Sequence, residues 1–270
     1  MKRSHVFLLG AGAAVLAGLP RRTDVTVYQE DTGRIRGRIR MVVLADLHGR
    51  NLTNAEKEQL KQTEPDLILI PGDLFDFYDR RDVHALELID ALKEYPVFYT
   101  TGNHELERGD EDVLKEELRA RGVHVLSDCA ETVVVRDTVV EIGGYDCRWT
   151  EKDCSPGAVN QMFHTGHYRI LMSHRPHWIS LYNAVDCDLV ISGHAHGGQW
   201  RIPFTQQGIC SPQQGIFPKY TSGIHHLHHS DLIISRGMSR AYHGIPRLYN
   251  SPEIVVVDLG SGILPQVVSA

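Results

Sequence analysis

Seven side chains that can bind metal ions are spread along this 270-residue chain. They are carboxylates, imidazoles and one amide, with no thiolate among them: Asp46, His48, Asp73, Asn103, His174, His194 and His196. Such a set suits divalent ions of the Mn, Fe or Zn type. It is larger than one ion needs if that ion also keeps a position for water, and two ions that share one carboxylate fit it better. Two ions about 3.5–4 Å apart can bind both the attacking and the leaving oxygen of a phosphoryl displacement.

Each of these residues lies at or just beyond the end of a short apolar segment. The segments are rich in aliphatic and β-branched residues and cover 41–45, 66–71, 96–101, 168–173 and 188–192. Runs of this length and composition are typical of buried β-strands. In an open α/β sheet, ligands bind just beyond the carboxyl ends of the strands. We therefore expect the chemistry of this protein at those strand ends.

Five motifs contain these residues and follow one another in a fixed order. They are Asp46-x-His48, Gly72-Asp73-x-x-Asp76, Gly102-Asn103-His104-Glu105, His174 and Gly193-His194-x-His196. Together they resemble the five signature blocks of the calcineurin-like metallophosphoesterases. The later runs 192–199, 235–237 and 246–254 are similar to a bacterial membrane-associated branch, which includes UDP-2,3-diacylglucosamine pyrophosphatases and cell-wall phosphodiesterases. The resemblance covers roughly residues 36–260.

The resemblance implies a role for each metal-binding position. It assigns Asp46, His48 and His196 to a first metal ion, and Asn103, His174 and His194 to a second. Asp73 would bridge the two ions, and a water or hydroxide between them would attack phosphorus in line.

The resemblance also implies two residues that act without binding metal. His104 would donate a proton to the leaving alkoxide or stabilise the phosphate oxygens. Glu105 would orient His104; many family members have Asp at that position, and Glu is a known variant.

The order of the predicted elements indicates the architecture. An early βαβα order followed by hairpin-like strands predicts two packed sheets with helices outside. This matches the four-layer αββα sandwich of the family, an α/β fold with two mixed sheets flanked by helices. We expect it to occupy residues 24–265.

Several local predictions accompany this architecture. Residues 24–39 are expected to form an edge hairpin, and 123–126 a strand of the second sheet. Residues 224–236 are expected to form another hairpin. The segment 145–167 is expected to be a long irregular loop.

The first 22 residues have the pattern of a targeting segment. Lys2 and Arg3 precede 14 apolar residues, 6–19, which is the length of a signal-peptide core and short for a membrane-spanning helix. We expect a cleaved signal peptide or an uncleaved signal anchor, and hence an exported or membrane-associated protein. The pattern leaves open which of the two applies and which side of the membrane the protein faces, the cytoplasmic side included.

The net charge and the cysteine content each argue against one class of protein. A net charge of −6 argues against a general nucleic-acid-binding protein, which would be basic. The odd number of five cysteines, without tight spacing, argues against a disulfide framework. Cys147 and Cys154 could pair in an oxidising compartment, but free thiols are the expectation.

Three arginines and a histidine cluster are weaker candidates for function. Arg236, Arg240 and Arg247 could bind phosphate through bidentate hydrogen bonds, although a structural salt bridge is the expectation for each alone. The cluster His225-His226-x-His228-His229 is not expected to bind catalytic metal, because adjacent residues of a strand point to opposite faces.

The sequence therefore leads to three hypotheses. The first is a dinuclear hydrolase of phosphodiester or pyrophosphate bonds, acting on a lipid-linked or cell-wall substrate. The second is a phosphodiesterase or phosphatase that acts on soluble nucleotides. The third, a non-catalytic binding scaffold, is disfavoured because every ligand position and His104 keep their chemistry.

Overall fold

The computed structural model describes residues 16–242 and 244–261. The strands are β1 (Asp24–Asp31), β2 (Arg38–Val43), β3 (Leu67–Pro71), β4 (Val97–Thr100), β5 (His124–Val125), β6 (Cys129–Val135), β7 (Thr138–Tyr145), β8 (Tyr168–Ser173), β9 (Leu189–Ser192), β10 (Cys210–Ser211), β11 (Gly215–Ile216), β12 (Gly223–His226), β13 (Asp231–Ile234), β14 (Ala241–Tyr242), β15 (Ile245–Pro246) and β16 (Glu253–Gly260). The helices are α1 (Asn54–Gln62), α2 (Val83–Ala91), α3 (Asn103–Arg108), α4 (Glu111–Ala120), α5 (Pro156–Met162) and α6 (Ile179–Ala184). Single 3₁₀ turns cover Glu151–Asp153 and His196–Gly198.

The first sheet has six strands in the order β1-β16-β2-β3-β4-β5. Strands β2, β3, β4 and β5 run parallel, while β16 is antiparallel to β2 and parallel to β1. Parallel strands end at the same edge of a sheet. The residues that follow β2, β3 and β4, which include Asp46, Asp73 and Asn103, therefore come to one edge.

The second sheet has the order β12-β13-β9-β8-β7-β6. Its four central strands run parallel, and its outer strands β12 and β6 are antiparallel to their neighbours. Strand β8 leads into His174 and β9 into His194, so this sheet also delivers its polar residues at carboxyl ends.

Successive side chains of a strand point to opposite faces of its sheet, so each sheet packs against a different layer on each face. In β2, Met41 and Val43 belong to a buried cluster shared with Ile170 and Met172 of β8. Val42, in contrast, packs in a cluster with residues of α1, α2 and α4. On the far side, the second sheet packs against α5 and α6. Helix, sheet, sheet and helix thus form four layers, and the predicted fold class is confirmed.

Two of the predicted elements are wrong. Residues 24–39 do not form a hairpin, because β1 and β2 lie on opposite sides of β16, which pairs with both. The strand expected at 123–126 belongs to the first sheet, where β5 pairs with β4 in parallel. Helix α4 returns the chain to that edge, and Gly122 ends the helix with a φ of +83°, a left-handed conformation typical of this position.

The other local predictions have different outcomes. The hairpin at 224–236 is confirmed by the antiparallel pair β12 and β13. The segment 145–167 is less irregular than expected, since it contains a 3₁₀ turn and α5. All five cysteines are free thiols.

The predicted targeting segment falls mostly outside the described residues. Residues 1–15 are not among the described residues, and neither are residues 262–265 at the end of the predicted domain. The targeting segment 1–22 and the domain bounds 24–265 therefore stay predictions. Among the residues that are described, no helix combines the length and apolar character that crossing a membrane requires.

Candidate metal centre

The predicted ligands lie in tight turns after the strands. Asp46, His48, Asp73, His194 and His196 all have left-handed backbone conformations, with φ between +48° and +66°. Such conformations are unfavourable for residues other than glycine, by roughly 1–3 kcal/mol each, and they concentrate at functional sites. Here they turn the side chains toward one another just beyond the strand ends.

One set of ligand atoms comes from the first sheet and the loop after β9. Atoms of Asp46, His48 and His196 all lie within 4.8 Å of one another. The Nε2 atoms of His48 and His196 are 3.3 Å apart, and Oδ1 of Asp46 is 3.9 Å from Nε2 of His196. The structure therefore brings together the three residues predicted for the first metal ion.

A second set lies beside the first. Ligand atoms of Asp73, His174 and His194 also lie within 4.8 Å of one another. Nε2 of His174 is 3.2 Å from Nδ1 of His194 and 3.1 Å from Oδ1 of Asn103. The four residues predicted around the second ion are thus adjacent as well.

Asp73 lies between the two sets. Its Oδ2 atom is 3.2 Å from Nε2 of His174 and 3.8 Å from Nε2 of His48. Its Oδ1 atom accepts a hydrogen bond of 2.9 Å from the backbone N–H of His104. That bond fixes the carboxylate so that Oδ2 faces both sets.

The ionisation of these groups fits divalent cations. Burial lowers the pKa of His194 and His196 well below the usual range, which leaves neutral rings with a lone pair for a metal. Burial alone would raise the pKa of Asp73, but the nearby imidazoles of His174 and His104 lower it well below its usual value. Burial alone would likewise lower the pKa of His174, yet the facing Asp73 raises it. The space between these side chains therefore favours positive charge, and the donor set fits a metal ion.

Partners behind the ligands fix their orientation. Nδ1 of His174 lies 2.9 Å from the carbonyl oxygen of Pro71, and Nδ1 of His196 lies 3.0 Å from Oγ of Ser239. A ring nitrogen held in this way leaves the other nitrogen to face the metal. Nε2 of His194 lies 2.5 Å from Oε1 of Gln213, a residue that the sequence analysis missed. No spacing in the sequence identifies Gln213, because a long loop brings it back to the site.

The contacts of Glu105 differ from the prediction that it orients His104. Its carboxylate accepts hydrogen bonds from the backbone N–H groups of Asp73, Phe75 and Gly102. Glu105 is in the first turn of α3, so its side chain bends back to the amides at the start of that helix. It therefore supports the loop that carries Asp73.

Asp76 is the carboxylate that faces His104. Its Oδ2 atom lies 3.6 Å from Nδ1 of His104 and 3.3 Å from Nδ1 of His48. The backbone N–H of Phe77 lies 3.0 Å from the same nitrogen of His104. The two partners suit the two states of the ring, since neutral Nδ1 can accept from Phe77 and protonated Nδ1 can donate to Asp76. The sequence analysis gave Asp76 no role. Its place in the second sequence motif was the signal that could have identified it.

The candidate arginines are all engaged with protein groups. Arg236 pairs with Glu253 at 2.9 Å, and Arg240 lies 3.6 Å from Glu56. Arg247 is fully buried and donates to the carbonyl oxygens of Ser239, His196 and Gly237. It holds the turns that carry His196 and Ser239. 

Two glycines allow the close approach of the carboxylates. A Cβ atom at Gly102 would lie 2.1 Å from Oδ1 of Asp73 and 2.4 Å from its backbone nitrogen. At Gly237, which also has a φ of +76°, a Cβ would lie 2.6 Å from Oδ2 of Asp46. Any larger residue would displace a predicted metal ligand.

An apolar cavity adjoins the metal centre. Its volume is about 500 Å³, and His196 is part of its wall. Most of the remaining lining is hydrophobic and includes Trp200, Ile209, Ile216 and Ile245. Of the predicted metal ligands, His196 is the one that the cavity lining includes.

Comparison with known proteins agrees with this site. A sequence profile described as calcineurin-like phosphoesterase matches residues 39–198. The chain is 26% identical over 230 residues to phosphodiesterase YaeI of Escherichia coli, which covers 82% of each chain. It is also 26% identical to the metallophosphoesterase YkoQ of Bacillus subtilis, covering 85% of this chain and 87% of that protein.

Solved structures support the fold. The NAD nucleotidase NadN of Haemophilus influenzae superposes with a TM-score of 0.50 at 15% identity, covering 74% of this chain and 45% of that one. At this identity the likeness concerns the fold alone.

The chain belongs to the calcineurin-like phosphoesterase family. Because the matched segment contains all seven predicted ligands, the family and the clustered donors together define a metal-dependent phosphoric ester hydrolase. The family implies divalent metal ions as cofactors.

The contact between Gly102 and Asp73 gives a first test. We expect Gly102→Ala to weaken Mn²⁺ binding by about 10–100-fold, the range seen when the support of a ligand is lost, because the added methyl displaces Asp73. Equilibrium dialysis with metal analysis measures this, with circular dichroism to verify folding.

Gly166→Ala is the matched control, since nothing lies within 4 Å of a Cβ atom at that position. Unchanged Mn²⁺ affinity in Gly102→Ala would contradict the tight placement of Asp73.

Proposed function

We propose that this protein is a dinuclear phosphodiesterase or pyrophosphatase. The observation that carries the proposal is the position of Asp73 Oδ2 between the two donor sets, 3.2 Å from His174 and 3.8 Å from His48. One carboxylate oxygen facing both sets is what two ions with a common ligand require. Asp46, His48 and His196 would hold one ion, and Asn103, His174 and His194 the other.

In the proposed reaction, the metal ions and the protein side chains have different roles. Two divalent ions would polarise the phosphoryl oxygens and lower the pKa of a water nucleophile toward about 7. The donor set suits Mn, Fe or Zn. His104 would face a phosphoryl group bound at these ions, and Asp76 and the amide of Phe77 orient the His104 ring.

His104 is proposed as the general acid. Burial alone would lower its pKa, but the carboxylates of Asp73 and Asp76 raise it to about 9. The ring therefore holds a proton at neutral pH, which it can give to the oxygen of a leaving alkoxide. Glu105 contributes by holding the backbone of the Asp73 turn.

The substrate is proposed to be a phosphodiester or pyrophosphate with an apolar group, such as a lipid-linked UDP-diacylglucosamine-like molecule or a cell-wall intermediate. The cavity of about 500 Å³ beside His196 supports an apolar group next to the ions. The relative YaeI, which is named a phosphodiesterase, supports the type of bond.

We further propose that residues 1–22 direct the protein to a membrane. The support is the apolar run 6–19 behind Lys2 and Arg3. A lipid-linked substrate would be met at that surface.

Hydrolysis of two model substrates tests the proposed reaction. After removal of metal and reconstitution with Mn²⁺, we expect the full chain in detergent to cleave bis-p-nitrophenyl phosphate faster than p-nitrophenyl phosphate. Asp73→Asn is expected to reduce diester cleavage by more than about 100-fold. Removing a ligand that both ions share should have a larger effect than removing a residue that only supports a ligand. Absorbance of released p-nitrophenol measures both rates.

Asp90→Asn, a change on the exposed face of α2, is the control and should match the wild type. Cleavage of the monoester alone would favour the phosphatase hypothesis, and metal binding without turnover of either ester would favour the scaffold.

The role of His104 predicts a dependence on the leaving group. His104→Gln is expected to lower kcat by on the order of 10²–10⁴-fold for a diester with an alkyl alcohol as leaving group. The loss should be much smaller for p-nitrophenolate, which departs without a proton. Equal losses for both leaving groups would show that His104 acts in positioning or charge stabilisation instead.

A further inference from the structure

Exposed apolar side chains lie on the loops that form the cavity beside His196. We call this surface the apolar platform and define it by six side chains: Trp200, Ile202, Phe204, Ile216, Phe217 and Ile245. Phe204 is fully exposed, and the exposed fractions of Ile216 and Phe217 are 74% and 61%. Exposed apolar patches on a surface mark contacts with proteins, membranes or ligands.

The backbone holds the platform in place. The N–H of Phe217 donates to the carbonyl of Ile209 at 2.9 Å, and the N–H of Ile202 donates to Gln207 at 3.0 Å. The indole N–H of Trp200 donates to the carbonyl of Pro246 at 2.9 Å. Because the loop is tied at several points, its apolar side chains cannot turn inward by a simple rearrangement.

The platform shares three residues with the lining of the cavity beside His196. Trp200, Ile216 and Ile245 belong to the platform and also line the cavity that contains His196. Whatever covers the platform therefore also contacts the wall of this cavity.

The N-terminal apolar run joins the folded domain beside the platform. The backbone N–H of Tyr249 donates to the carbonyl of Gly18 at 2.6 Å. Leu19 and Pro20 share a small cavity with Pro246, whose carbonyl holds Trp200. The described end of the run 6–19 is thus placed next to the apolar platform.

Basic residues border the same place. Arg21 and Arg22 follow the apolar run after Pro20, and Arg22 and Arg240 line the cavity that contains Leu19 and Pro246. Guanidinium groups beside an apolar surface match the order of a bilayer, in which anionic headgroups lie above acyl chains.

We propose that the apolar platform inserts into the acyl layer of a lipid bilayer. It would form a membrane contact separate from residues 1–22 and would turn the cavity beside His196 toward the lipid. Interfacial segments of this kind reach about 5–10 Å below the headgroups. The N-terminal apolar run joins the domain beside the platform, and this favours a bilayer over a second protein. In a bilayer, the run and the platform would both contact the acyl chains. The platform does not depend on the reaction proposed above.

Quenching of tryptophan emission by acyl-brominated phospholipids tests the insertion locally. The full chain is reconstituted into vesicles of phosphatidylcholine and phosphatidylglycerol with and without brominated chains. We expect quenching in the wild type and its loss in Trp200→Phe. Because only side chains that contact the acyl region are quenched, attachment through the N-terminus alone does not produce the signal.

A tryptophan placed elsewhere is the first control. Val134 is exposed near the end of β6, at the edge of the sheet opposite the metal centre, so Trp200→Phe with Val134→Trp should not regain quenching. Quenching that persists in Trp200→Phe, or no quenching in the wild type, would overturn the proposal.

A second variant covers the case in which Trp200→Phe loosens the loop. Phe204→Ser with Phe217→Ser changes two exposed side chains outside the cavity lining, and it should abolish quenching while cleavage of bis-p-nitrophenyl phosphate stays unchanged. Val113→Ser with Val134→Ser is the matched control and should be quenched like the wild type.

The same double variant separates a bilayer from a second copy of the chain. If the wild type is a dimer by light scattering, the platform variant is a monomer and the vesicles do not quench, the platform is a protein interface and the proposal is wrong.

Discussion

The structure depends on the stabilisation of buried negative charge at the junction of two sheets. Asp46 and Asp73 are essentially without solvent contact, and burial by itself opposes the charged form of both. For Asp73, the surrounding imidazoles outweigh burial and lower its pKa, so the group is held as a carboxylate, whereas for Asp46 burial prevails and raises the pKa. Two buried carboxylates among ring nitrogens suit a divalent cation, which would favour the charged form of both, and the metal chemistry of the family meets that requirement.

The fold meets this requirement by bringing the ends of parallel strands from both sheets to one edge. Left-handed turns then direct the side chains across the gap, at a cost in backbone energy that the neighbouring contacts must offset. Those contacts are largely made to the backbone: Glu105 binds three amides around Asp73, and Arg247 binds three carbonyls around His196. The residues behind the ligands therefore stabilise the backbone of the turns as well as the ligand side chains.

The sequence predicted the strands that carry the candidate ligands better than it predicted the surroundings of those residues. Apolar runs that end in Asp, Asn or His depend on local pattern alone, so the strands before Asp46, Asp73 and His194 were predicted correctly. The position of β1 beside β16 and of β5 beside β4 depends on pairing between distant segments, which a local pattern does not contain. Likewise, the family resemblance implied that Glu105 orients His104, whereas the helix start turns its carboxylate to the amides of the Asp73 loop. Gln213 and the apolar platform come from a long loop whose path is fixed only by tertiary contacts.

The central claim is that one carboxylate, Asp73, serves two metal ions at once. Electron paramagnetic resonance of the protein loaded with two equivalents of Mn²⁺ tests it most directly, since ions about 3.5–4 Å apart interact magnetically. We predict the spectrum of an exchange-coupled pair in the wild type, and its replacement by the signal of isolated Mn²⁺ in Asp73→Asn. A wild-type spectrum of isolated, non-interacting Mn²⁺ at full loading would contradict the shared site.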